Sequence, residues 1–158
     1  MYRKVIISLF VIVLLLSGCT RETEEGKIKK VISSIQAAAE SKRILAVLEH
    51  LSKDYRDPQG NDYEGIKGLL SFYFFKHQAV HVYIPAIDIA VTGYTATAAF
   101  DAVLTGRPAD GSGGTIIPES LGVYRFDVSL KREGDQWKVL SAKWELSGEG
   151  GPVPPPAR

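Results

Sequence analysis

The stretch that most constrains the fold is residues 124–146, which read YRFDVSLK, then REGD, then QWKVLSAKWEL. Tyr124, Phe126, Val128 and Leu130 alternate with Arg125, Asp127, Ser129 and Lys131. A period of two defines a strand with one buried face. Glu133-Gly134-Asp135 supplies a turn, with Gly134 free to take positive φ. The returning strand carries Trp137, Val139, Leu140, Trp144 and Leu146, and with them both tryptophans of the chain. Trp137 and Trp144 are an odd number of residues apart, so regular pleating puts them on opposite faces. A bulge near Ser141-Ala142 would change that. Trp137, beside Val139, is expected in the core. Such a sheet needs an apolar cover, and the residues upstream offer helices.

Ile28, Val31, Ile32 and Ile35 recur at i, i+3, i+4 and i+7, the spacing of an amphipathic helix. Ala37-Ala38-Ala39 extends it. Ser41 is expected to cap a second helix with Ile44, Val47, Leu48 and Leu51 on one stripe. Pro58 and Gly60 mark a turn. Asp62 can cap a third helix, striped by Ile66, Leu69, Leu70 and Tyr73. Gly65 and Gly68 cost that helix about 1 kcal/mol each against alanine. Their spacing suggests a smooth groove in close contact with a neighbouring element.

After Phe75 the period changes. Residues 80–91 are β-rich, and Pro85 implies an edge or a bulge. Thr92-Gly93 turns the chain into a strand over 94–105. Residues 106–121 read as a long loop, of a length that is often functional. The Pro/Gly-rich end, 147–158, reads as a disordered tail. Helices first and a meander of four strands after make an α+β pattern, with helices on one face of a curved antiparallel sheet.

The length of 158 residues fits one domain. Arg3 and Lys4 followed by an apolar stretch of twelve residues, 5–16, form a secretory signal pattern, too short for a comfortable membrane span. Leu16-Ser17-Gly18-Cys19 resembles the lipobox of bacterial lipoproteins. That resemblance implies cleavage after residue 18 and acylation of Cys19, the only cysteine. Residues 19–26 then form a tether. Thr20, rather than an aspartate, follows the cysteine, which by resemblance to Gram-negative sorting implies the periplasmic face of the outer membrane. Removing Arg3 and Lys4 from the 19 basic residues leaves one fewer than the 18 acidic ones. Such balance argues against nucleic acid, whose binding needs a basic patch.

Asp54, Asp57, Asn61 and Asp62 cluster, and carboxylates at short spacing can ligate calcium. The spacing is not that of an EF-hand, and turn and cap chemistry accounts for the same residues. His77 and His81 lack an evident third ligand for zinc. His77 fits a helix C-terminus, where its charge meets the dipole. Asp110-Gly111-Ser112-Gly113-Gly114 has the letters of a serine-nucleophile loop without the partners that catalysis requires. No metal and no cofactor is expected.

The order helix, helix, turn, short third helix, then strands ending in GDQWKVLSAKW resembles the nuclear transport factor 2-like superfamily, over about residues 27–146. Within it, DYRDPQGNDYEGIKGLL with YRFDVSLKREGDQWKV resembles small bacterial lipoproteins of unassigned function. The resemblance implies a cone with an apolar pocket between helices and sheet, and homodimers through the sheet. Tyr55, Tyr73, Tyr83, Asp101 and Trp144 are the pocket candidates. The resulting expectation is a lipid-anchored envelope protein whose domain binds a small apolar ligand or an envelope protein without catalysis. An enzyme of the ketosteroid isomerase or polyketide cyclase-like class is the alternative. Those enzymes pair a carboxylate base with tyrosine in an apolar cavity, a set that cannot be mapped onto this sequence.

Overall fold

The computed structural model describes residues 22–108 and 119–147. Cys19, the serine-containing loop residues 110–114 and the tail 148–158 lie outside the described residues. Among these described residues, three helices, α1 (Glu24–Glu40), α2 (Ile44–Leu48) and α3 (Tyr63–Lys76), precede five strands. These are β1 (His77–Tyr83), β2 (Asp88–Thr92), β3 (Thr95–Pro108), β4 (Glu119–Glu133) and β5 (Gln136–Leu146). All pairings are antiparallel, in the order β1-β3-β4-β5, with β2 also on β3.

Helix α1 starts earlier than the tether 19–26 allows, because Thr23 caps it. The Gly26 amide donates to the Thr23 hydroxyl at 3.1 Å, and Glu24 and Glu25 occupy the positive first turn. Ser41 does not cap α2; it is the C-cap of α1. The Lys42 amide donates to the Ala39 carbonyl and the Arg43 amide to that of Ala38, the paired closing bonds of a Schellman end. Lys42 itself takes the left-handed conformation, φ 55°, where glycine is usual. Asp62 caps α3 as expected, accepting from the Gly65 amide at 2.8 Å.

The two glycines of α3 do not form a contact groove. A Cβ on Gly68 would meet nothing within 4 Å, so that face is open. A Cβ on Gly65 would meet the Asn61 Cβ at 3.2 Å, which belongs to the turn before the helix and not to another element.

Pro85 divides the β-rich stretch into two strands, so the sheet has five where the sequence pattern suggested four. β1 pairs with residues 103–108 and β2 with 95–99, successive lengths of the same edge of β3. The long loop is shorter than its composition implied, since β3 runs on to Pro108 and β4 begins at Glu119.

The concave face carries the core. Ala96, Ala98, Phe100 and Ala102 on β3 face it, with Val128 and Leu130 on β4 and Trp137 and Val139 on β5, all buried. A bulge in β5 settles the tryptophans. Leu130 pairs with Val139 and Ser129 with Ser141, leaving Leu140 as the extra residue. It shifts the parity, so Trp137 and Val139 before it share a face with Ala142 and Trp144 after it. Trp137 is 2% exposed.

Both outer edges of the sheet are covered. On β5, the Ser52 amide donates to the Val139 carbonyl at 2.8 Å, and the Val139 amide to the His50 carbonyl at 2.9 Å. On β1, the Val82 amide donates to Glu40 Oε1 at 2.9 Å, and Gln36 Nε2 to the Val82 carbonyl at 2.7 Å. An uncovered edge would present free amides and carbonyls to another chain.

Candidate functional site

A cavity of about 330 Å³ lies between the helices and the concave face. Its sheet wall is built by register. Phe100 pairs with Phe126, and Phe126 with Trp144, across β3, β4 and β5. The rings of Phe100 and Phe126 stack with centroids 5.3 Å apart, and Trp144 follows at 6.5 Å. The helix wall is aliphatic: Ile32, Ile35 and Ala39 from α1, with Ile66, Leu69 and Leu70 from α3. These are the stripes that the helical period marked.

Few polar groups reach the cavity: Gln36, Tyr55, Tyr73, His77, Tyr124 and the indole of Trp144. Among the described residues that line it there is no Asp, Glu, Lys or Arg. The Gln36 amide is engaged by the β1 edge. Tyr55 is 2% exposed and donates to Asp57 Oδ2 at 3.0 Å, so its hydroxyl serves the adjacent turn. Tyr73 and His77 stack, centroids 6.4 Å apart and planes 11° from parallel. Burial pushes the phenols of Tyr73 and Tyr124 above their ordinary range, and each sits near enough the other for Tyr124 to add to the shift on Tyr73. For Tyr55, burial acts first and the Asp57 carboxylate adds to it. All three phenols stay protonated at neutral pH.

Of the five pocket candidates, the structure brings Tyr55, Tyr73 and Trp144 to the cavity. Tyr83 and Asp101 are corrections. Tyr83 is 64% exposed because strand alternation turns it away from Val82, which lines the cavity. Asp101 is turned outward between Phe100 and Ala102, and accepts from Arg125 Nη1 at 3.2 Å across the register pair. The sequence reading missed Gln36, His77, Tyr124, Phe100 and Phe126 as lining. For Tyr124 and Phe126 the signal was present in the alternation of β4; for His77 there was none, since a helix-end imidazole reads as a dipole partner.

The aspartate cluster is occupied with its own turn. Asp57 Oδ1 accepts from the Asn61 amide at 2.8 Å, and Asp57 Oδ2 accepts from Asn61 Nδ2 at 3.0 Å as well as from Tyr55. Asp54 pairs with Lys131 at 2.7 Å, and Asp62 is the helix cap. Among the described residues, no group of three or more His, Cys, Asp or Glu is placed to hold a metal ion. Among them, no helix is long and apolar enough to cross a membrane.

This arrangement defines a class. Helices closing the concave face of a curved antiparallel sheet over an apolar cavity is the nuclear transport factor 2-like, cystatin-like fold, and the chain has it. Several of the solved structures it resembles carry one or both of those descriptions. A nuclear transport factor 2-like protein with a cystatin-like fold from Novosphingobium aromaticivorans superposes with a TM-score of 0.65 at 18% identity, covering 90% of each chain. A proposed scytalone dehydratase from the same organism superposes with a TM-score of 0.69 at 11% identity, over 79% of this chain and 85% of that one. Bd1075 of Bdellovibrio bacteriovorus superposes at a TM-score of 0.62 and 11% identity over 75% of this chain, which spans only 40% of it. No family model matches the sequence, and no curated protein matches it.

Proposed function

We propose that the chain is a lipid-anchored envelope protein whose domain binds a small apolar ligand without transforming it. The observation that carries this reading is the cavity itself: about 330 Å³, apolar on both walls and, among the described residues that line it, free of carboxylates and cations. Apolar concavities of this size with few polar groups are typical of small-molecule sites. A base of the ketosteroid isomerase type needs a carboxylate in the cavity, and Asp57 and Asp101 are held elsewhere. The anchor rests on residues 3–19 and on the resemblance of Leu16-Ser17-Gly18-Cys19 to a lipobox.

The test is displacement of an apolar fluorescent probe such as N-phenyl-1-naphthylamine. The native chain takes up the probe, and Ala39→Phe, which fills the cavity from α1, abolishes uptake while circular dichroism stays unchanged. Uptake that survives Ala39→Phe would place the probe elsewhere and remove the reading. The anchor is tested separately: Cys19→Ser leaves unprocessed, unacylated precursor, and normal acyl labelling of that variant would rule the anchor out.

A second reading, an enzyme of the isomerase or cyclase-like class, is favoured by one observation, the imidazole of His77 stacked on Tyr73 in the cavity wall. Neighbours of the fold include proposed dehydratases. On this reading a ligand recovered from the native protein is converted by it, and His77→Gln stops conversion while leaving binding intact.

A further inference from the structure

The C-terminal half of α3 ends SFYFFK, and its four consecutive aromatic residues, Phe72 to Phe75, are spread around the helix. A helix apolar all round is normally covered all round, but the fold covers only part of this one. Phe74 is buried and Tyr73 lines the cavity, while Phe75 is 84% exposed and Phe72 45%. Gly68, one turn before Phe72, leaves open space beside it. Leu45, 72% exposed, stands on α2, which packs against α3. Cations accompany these side chains. Lys76 Nζ lies over the Phe72 ring at 5.0 Å, Arg43 is exposed beside Leu45's helix, and Lys42 reaches the His77 carbonyl at 2.8 Å. Of the acids near these elements, Glu64 pairs with Lys67 and Glu40 accepts from the Val82 amide, while Glu49, at the C-cap of α2, is exposed.

We propose that this end of α3 docks on a membrane surface bearing anionic headgroups. Exposed phenylalanines and leucine flanked by lysine and arginine are the composition of an interfacial element, whose apolar side chains enter the headgroup boundary while cations meet the lipid charge. A second copy of the chain fits less well. The three apolar side chains expose roughly 400 Å², about half of the ~800 Å² per partner that a stable pair buries, and Arg43 and Lys76 would meet their own copies. The geometry also suits an anchored domain. Helix α1 separates its N-terminal end from the Lys42–His77 contact by about 25 Å, so lipid on Cys19 and α3 would hold the domain at two distant points. That second clause rests on the anchor of the proposed function; the docking surface does not.

The experiment uses the full chain in vesicles of phosphatidylcholine with brominated phosphatidylglycerol. Phe75→Trp places a reporter in the patch, and Tyr94→Trp places one at a site 76% exposed on the β2–β3 turn, each read as the difference from the native chain, whose Trp137 and Trp144 emit in every sample. The Phe75→Trp emission shifts to the blue and is quenched; that of Tyr94→Trp does neither. Adding Lys76→Glu to Phe75→Trp weakens the quenching at least about fivefold, and so does high salt. Absent quenching at Phe75→Trp, or equal quenching at both sites, overturns the proposal. So does a concentration-dependent blue shift in detergent without lipid, which would make the patch an interface between copies. Acyl labelling of the same sample reads the anchor alone. Quenching without acylation keeps the docking and loses the anchor; acylation without quenching does the reverse.

Discussion

The indole of Trp137 donates a hydrogen bond to Glu24 Oε2 at 2.7 Å, joining the last strand to the first turn of α1 across 113 residues. Trp137 is thus both core and clamp. Its ring fills the interior beside Val139, while its one polar atom meets a carboxylate that Lys27 also holds, at 2.7 Å. The Lys27 hydrogen bond, then that of Trp137, lowers the Glu24 pKa below its ordinary value. Trp137→Ala is expected to cost about 3–5 kcal/mol. Trp137→Phe keeps most of the ring and loses the hydrogen bond to Glu24, so it is expected to cost less than Trp137→Ala. Denaturant titration separates the two; a loss under about 1 kcal/mol for alanine would mean that the ring is not part of the core.

Gly68→Ala is expected to stabilise the protein by about 1 kcal/mol, the helix-propensity difference alone, because an added methyl meets nothing. Gly65→Ala gains less or loses, since its methyl would press on the Asn61 Cβ at 3.2 Å in the capping turn. Thermal melts of the two single variants give the order directly. Equal stabilisation would show that the turn yields freely.

These contrasts mark what was legible in the sequence. The period of two fixed which residues of β4 face inward, and Asp62 announced its helix because a cap is a local interaction. Asp101 shows the limit: alternation separates it from Phe100, but only the register of Phe100 on Phe126 says which side is the cavity. The β5 bulge was anticipated near Ser141 and falls at Leu140, one residue earlier. Ser41 misled because serine caps starts and tolerates ends alike; the deciding feature, a lysine in the left-handed conformation at position 42, has no composition signal. Tyr83 lost its place to strand alternation, since Val82 and Ile84 on either side of it line the cavity.

Alkaline pH should destabilise the fold through its buried phenols. The pKa of Tyr55 is raised in the folded state, by burial first and then by the Asp57 carboxylate; burial does the same for Tyr73 and Tyr124. The contribution of a group raised in this way is fully present below its unfolded value of 10.0 and is lost as pH climbs through the folded value. Denaturation midpoints should therefore fall above about pH 10. Tyr55→Phe should flatten that fall, at the cost of about 1 kcal/mol at neutral pH for the lost bond to Asp57. An unchanged slope would show that Tyr55 ionises as easily in the folded chain as in the unfolded one.

Residues 54–62 should behave as architecture. The chain leaves α2, reverses and begins α3, and each polar side chain has a turn to hold. Asp57 accepts from the Asn61 amide and side chain and from Tyr55, and the Gly60 amide donates to the Asp57 carbonyl at 3.1 Å. Asp62 accepts from the Gly65 amide, which lowers its pKa before any help from Arg56. A carboxyl held below its unfolded value of 3.8 contributes above that pH and stops contributing as pH falls through the folded value. Asp62→Ala is expected to cost about 1 kcal/mol, and the difference from the native chain should close in acid. Probe uptake by the cavity should be unaffected, because Asp62 does not line it. Calcium is the rival account of the same residues. Occupancy at a hundred times Kd would stabilise the chain by about 2.7 kcal/mol, so melts with calcium and with chelator should coincide. A calcium-dependent rise in Tm, abolished by Asp57→Asn, would replace the architectural reading with a metal site.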